Sequence, residues 1–171
     1  KLKSELIPLL GHASSKVRVS VLERIERLKP ERARESLPDH IKNEQVPQTR
    51  SAAVQAFSSL TADDVNLILP YLNSSNTADT FGALVGLLKY GGDQGVSLSK
   101  DKLEKLASHP LDSNRILAAQ ALRRFGSSDF DDVLLKLMDD DATNVRREAL
   151  LAAGKTKSIL LWRKVIDALS H

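Results

Sequence analysis

Apolar positions along the chain recur at the spacing of one helix face, and that pattern itself recurs at a longer period. In residues 144–153, NVRREALLAA, Arg146 is followed three, four and seven places later by Ala149, Leu150 and Ala153. A turn of about 3.6 residues puts all four on one face. The same arrangement follows Arg115 (Ala118, Ala119, Leu122), Arg50 (Ala53, Val54, Phe57) and Arg18 (Val21, Leu22, Ile25). A fifth copy keeps the apolar face with Ala83, Leu84 and Leu87 but has Thr80 in place of the arginine. The anchors are 32, 30, 35 and 31 residues apart. A period in this range implies stacked helical pairs, each hiding its apolar face against the next. Solvent exposure of Ala53, Leu84, Ala118 and Ala149, or a sheet in the middle of the molecule, would contradict it.

Polar and turn-forming residues between the anchors set the expected elements. A first helix spans 1–10, with Pro8 a kink or a later start. Anchor helices are expected over 16–28, 47–60, 77–90, from a cap at Asp112 or Ser113 to 125, and 144–153, with Pro47 at a first-turn position and Gly126 and Gly154 as stops. Their partners are expected over 31–42, 61–72, 99–108 and 128–138. Pro38 should bend or shorten the first of these, and Thr61 with Asp64 and Ser128 with Asp131 resemble capping boxes. Ser99 is expected to cap the third, after the longest linker, residues 91–97 (GGDQGVS). A last helix at 158–170 follows. The repeat boundaries are therefore about 1–28, 31–60, 62–90, 99–126, 128–154 and 158–170, read as a single array over 1–171. The last helix has no second member to cover it, so the chain is read as a piece of a longer protein.

At these residues the chain resembles the HEAT-repeat family, especially its short bacterial HEAT-like form. The resemblance is carried by LMDDDATNVRREALLAAG (137–154), LASHPLDSNRILAAQALRRFG (106–126) and LLGHASSKVRVSVLERI (9–25). It implies an all-α fold, a right-handed α-α superhelix of about five helical hairpins plus a terminal helix. It also implies a ladder of Asp–Arg pairs between repeats. Asp112 and Asp141 stand ahead of their arginines, whereas repeats 1 to 3 offer no such Asp. A narrower resemblance, in AAGKTKSILLWRKVIDALSH (152–171), is to HEAT segments fused to bacterial transporters of the nucleotide-carrier type; it implies a soluble regulatory domain of a membrane protein.

Composition changes this picture little. Aromatics are 4% of the chain, so close approach of small side chains must build the core. The net charge of +3 is too small to argue for nucleic acid by itself. The chain has no cysteine, hence neither disulfide nor thiolate metal site, which fits a reducing, cytoplasmic setting. The expected compartment is the cytoplasm, or the cytoplasmic part of a membrane protein, with no membrane insertion of this segment.

Candidate chemistry is sparse. His12, His40, His109 and His171 have no mutual helical spacing and read as turn and surface residues. Asp129, Asp131, Asp132 and Asp139 to Asp141 lack the layout of a calcium loop. Gly91, Gly92 and Gly95 are not followed by the Lys-Ser/Thr of a phosphate loop. No catalytic residue, metal ligand or cofactor is expected; a bilin-lyase activity, known among HEAT-like relatives, finds no nucleophile and base here.

Binding is the remaining class. The anchors Arg18, Arg50, Arg115 and Arg146 are read as structural, bonding to carbonyls or to an acid of the adjacent repeat. Nine places after each anchor stand Arg27, Ser59, Lys89, Arg124 and Lys155, a row of cations broken once. Cations suit helix C-termini, and aligned they would form a stripe on the concave side that solenoids use for binding. Gln55, Phe81, Val85, Ile116 and Gln120 are expected to face that groove, the apolar three as an anchor pocket. The expected function is a non-catalytic protein-interaction scaffold, monomeric as a fragment, whose partner is another protein or another domain of its own chain. The alternatives are the transporter domain and phosphate-backbone binding by the stripe, with nucleic acid disfavoured.

Overall fold

The structure, a computed structural model, describes residues 5–169, with the backbone alone for 168 and 169. The first half of the expected helix at 1–10 and the terminal His171 lie outside the described residues. The described chain is all-α, with no strand. It divides into two compact units, Lys1–Val96 and Ser97–His171.

In the first unit, α1 (Ser15–Leu28), α3 (Pro47–Leu60) and α5 (Thr77–Tyr90) are the anchor helices, and α3 packs on both of the others. Their partners are shorter. A 3-10 turn, Pro8–Gly11, precedes α1, and α2 (Ala33–Asn43) runs through Pro38. Val65–Ile68 is a 3-10 turn leading into α4 (Leu69–Leu72). The expected single helix over 61–72 is thus corrected. Thr61 closes α3 by donating its hydroxyl to Phe57 O at 2.9 Å, while Asp64 caps the 3-10 turn through Asn66 N.

The close contact of α3 with α5 depends on two glycines. A Cβ on Gly82 would lie 2.5 Å from Ser51 O, and one on Gly86 would lie 2.2 Å from Ser58 Oγ. Spaced four apart, they share one face and let the α5 backbone settle onto α3. The expected linker at 91–97 is also corrected: α6 starts at Gly92 and continues to Ala107. Gly92 turns the chain at φ +55°, and Gly95 then passes so close to Leu87 O that a Cβ would sit 2.5 Å away. The glycines serve a tight helix-to-helix corner rather than a flexible spacer. Ser99, expected as a cap, is buried within α6.

In the second unit, α7 (Asp112–Phe125) packs on α9 (Thr143–Ala153). Between them in sequence lie a 3-10 turn, Ser128–Phe130, and α8 (Asp131–Met138), and α10 (Ile159–Leu169) packs on both α8 and α9. Ser127, not Ser128, accepts the capping bond, from Asp129 N. Gly126 closes α7 at φ +71°, a left-handed position that suits glycine. Ala53, Leu84, Ala118 and Ala149 are all fully buried, as the repeat pattern requires.

Candidate functional site

The anchor arginines sit in the first turns of their helices, where the positive end of the helix dipole disfavours a cation. Their surroundings supply the compensation. Arg18 donates from Nη1 to His12 O and Ala13 O at 2.8 and 3.0 Å. Its Nε and Nη2 grip both oxygens of Glu44, in the next repeat, at 2.7 and 2.8 Å. Arg50 repeats the grip on Asp79 at 2.6 and 3.0 Å and reaches Glu44 O at 3.3 Å. Arg115 does the same with Asp140 at 2.6 and 3.0 Å and with His109 O and Pro110 O. These two-pronged, charge-assisted bonds are the strong class. The inter-repeat ladder therefore exists at three steps, including the two that start from Arg18 and Arg50, and its acids are Glu44, Asp79 and Asp140. Asp112 instead accepts Ser113 N.

A second regularity lies six residues ahead of each anchor. There His12, Glu44, Ser74, His109 and Asp140 each accept, by side chain, the backbone N–H two places on: Ser14, Val46, Asn76, Leu111 and Ala142. The turn before every anchor helix is locked this way. His12 and His109 are thus turn caps. In the third repeat the work is split: Ser74 caps the turn and donates to Asp79 at 2.9 Å, and Asp79 receives Arg50. Thr80, lacking the reach of arginine, still donates its hydroxyl to Ser74 O at 3.1 Å. The signal for these acids was readable as Glu44 and Asp140 six places before Arg50 and Arg146; Asp79, displaced to the helix, carried no such mark.

The electrostatics follow. Burial pulls the Glu44 carboxyl up, but bonds from Arg18 and Val46 N–H outweigh it and hold the group below the usual carboxylate range. The Arg115 guanidinium likewise holds Asp140 low. His40 lies 3.7 Å from Glu44, with Nε2 buried and without a hydrogen bond among the described residues; burial pushes its affinity for a proton down.

The row nine places on is more varied than its spacing suggests. Arg27, Arg124 and Lys155 are exposed. Lys89 is also exposed but lies 3.4 Å from Glu26, which accepts the Tyr90 hydroxyl as well. Ser59 is buried. Of the expected groove residues, Val85 and Gln55 are buried, Phe81 and Ile116 half-buried, and Gln120 exposed. Within the second unit, Ile116, Gln120 and Arg124 lie at four-residue spacing on α7, and Lys155 follows α9, its carbonyl facing Gly126. Among the described residues no three His, Asp or Glu side chains are placed to hold a metal ion, and no helix is long and apolar enough to cross a membrane.

Compared with known proteins, residues 100–171 match the family model for HEAT repeats. No curated protein matches the chain.

Proposed function

From the premise that residues 100–171 are HEAT repeats, we propose that the chain is a non-catalytic scaffold that docks a protein partner on exposed faces of its anchor helices. HEAT repeats generally serve as protein-interaction scaffolds. The observation that carries the reading is how the charges are used. The part-buried guanidinium–carboxylate pairs, Arg18–Glu44, Arg50–Asp79 and Arg115–Asp140, are engaged in joining repeats. Arg124 and Lys155 stay exposed and meet no carboxylate among the described residues. They suit an acidic protein segment, oriented by charge and seated beside Ile116 and Gln120. Arg27 offers a comparable cation in the first unit. Lys89 contributes less, because Glu26 shares its charge.

The test is a titration of the intact chain with a Glu-rich peptide carrying one leucine, followed by hydrogen exchange. Protection is expected to rise along Ile116, Gln120, Arg124 and Lys155. Arg124→Glu with Lys155→Glu should weaken binding at least about tenfold with helicity unchanged. Unchanged affinity in that pair, or equal binding of a single-stranded oligonucleotide that vanishes with salt, would contradict the reading.

A further inference from the structure

In the first unit the middle anchor helix is buried on a face that other anchor helices leave open. One, five and nine places after its anchor, α3 carries Ser51, Gln55 and Ser59, spaced four apart and so on one face. They are 8%, 7% and 2% exposed. In the same row Glu23 and Arg27 on α1, and Gln120 and Arg124 on α7, are exposed. The helices on either side of α3, α1 and α5, both pack on it, and their C-terminal ends also reach each other. Glu26 on α1 accepts the Tyr90 hydroxyl and, at 3.4 Å, a proton of Lys89 Nζ, both from α5.

Lys29 joins the same contact. It closes α1, donating its N–H to Ile25 O at 2.8 Å, with φ +47°. Among the described residues it is the one non-glycine residue at positive φ. The residue that closes α7 in the same conformation is Gly126, which adopts it freely, whereas a side chain there is disfavoured. What Lys29 adds is its ammonium, 5.4 Å from the centre of the Tyr90 ring, a favourable place for a cation. Backbone strain and a contact between the first and third repeats thus meet at one residue.

We propose that Glu26, Lys29, Lys89 and Tyr90 form a strap that joins α1 to α5 across the C-terminal end of α3 and shuts the face of Ser51, Gln55 and Ser59. The strap concerns the first unit alone and stands or falls independently of Arg124 and Lys155. It gives a reason for the break in the row of cations. Ser59, where Arg27 and Lys89 stand on the flanking helices, is small and turns its hydroxyl back to Ala56 O at 2.7 Å; a long cation there would push the strap apart. Parting Glu26 from Tyr90 uncovers a face of small polar side chains and frees Lys89 from the carboxylate that shares its charge. The first unit therefore has a closed state, held by side chains, and an open one in which this face is available.

The chain has no cysteine, so Ser59→Cys supplies a single thiol whose rate of reaction with a maleimide reads the opening. Gln55→Cys, a smaller side chain on the same face, is a second reporter should the first disturb packing. Ile41→Cys, at a fully buried position of α2, reports wholesale unfolding. With the strap intact, both row thiols should react at least about a hundredfold more slowly than in the urea-unfolded chain. Glu26→Gln or Tyr90→Phe should speed them about tenfold with the Ile41→Cys rate unchanged, and the two together little more than either alone. Lys29→Gly relieves the backbone while removing the cation. It should preserve or raise the thermal midpoint and yet speed the row thiols about threefold. Row thiols that react at the unfolded rate with the strap intact, or rates indifferent to Glu26 and Tyr90, overturn the inference. Row and Ile41→Cys thiols that accelerate together overturn it as well, since the four residues would then be a general stabilising contact.

Discussion

An arginine in the first turn of a helix sits against the dipole, and Arg18, Arg50 and Arg115 tolerate that position because each shares its fork between preceding carbonyls and a carboxylate of the next repeat. At Arg50 the acid is nearly buried, Asp79 being 5% exposed in its side chain. Arg50→Gln leaves that acid without its fork, and the expected loss is about 2–4 kcal/mol in urea unfolding. Arg34→Ala, which removes an exposed contact to Asp63, should leave the midpoint unchanged. Proton linkage gives a second handle. His40 binds a proton less readily in the fold than in the unfolded chain, because it is buried and Arg18 opposes the help of Glu44. Below about pH 6.5 the unfolded state therefore takes up the extra proton, and stability falls with pH. Glu44 and Asp140 are held low, so their contribution is present above about pH 4 and lost as pH drops through their folded values. Residues 1–96 should thus weaken first on acidification, and His40→Leu should remove the early phase. Urea midpoints at pH 7, 5.5 and 4 would measure it; an early phase that survives His40→Leu would reject this origin.

Between helices, small residues decide how close the backbones come. Gly86→Ala would place a methyl on Ser58 Oγ and Cβ, and a forced shift of that kind costs about 1–3 kcal/mol. Gly11→Ala meets open space and should change little, so the pair separates packing from helix propensity. The anchor helices were legible because one rule, an arginine followed by an apolar face, recurs with little variation. Their partners were less so. The stretch 61–72 obeys helix periodicity yet becomes a 3-10 turn capped by Asp64 that runs into the short α4, since local side-chain bonds compete with a continuous helix. The glycines at 91–95 read as a linker because composition cannot distinguish freedom to move from room for a neighbouring carbonyl. The acids of the ladder were half-legible: Glu44 and Asp140 stand at a fixed offset from the next arginine, but Asp79 works through Ser74 and has no offset to find.

The molecule comprises two compact units, and the boundary between Val96 and Ser97 falls inside α6. It lies within the one step of the repeat whose two ladder residues both differ, Thr80 standing for the arginine and His109 for the acid. Each unit has rungs of its own, Arg18–Glu44 and Arg50–Asp79 in the first and Arg115–Asp140 in the second. Stability in repeat arrays is carried by such nearest-neighbour interfaces, so damage to a rung should stay local. The direct measurement is native-state hydrogen exchange on the intact chain with Arg50→Gln or Arg115→Gln. Arg50→Gln is expected to speed exchange in α1, α3 and α5 while α7 to α10 keep their protection, and Arg115→Gln to do the reverse. Uniform loss across the chain, or no loss from either substitution, would contradict the claim that arginine rungs hold this stack together.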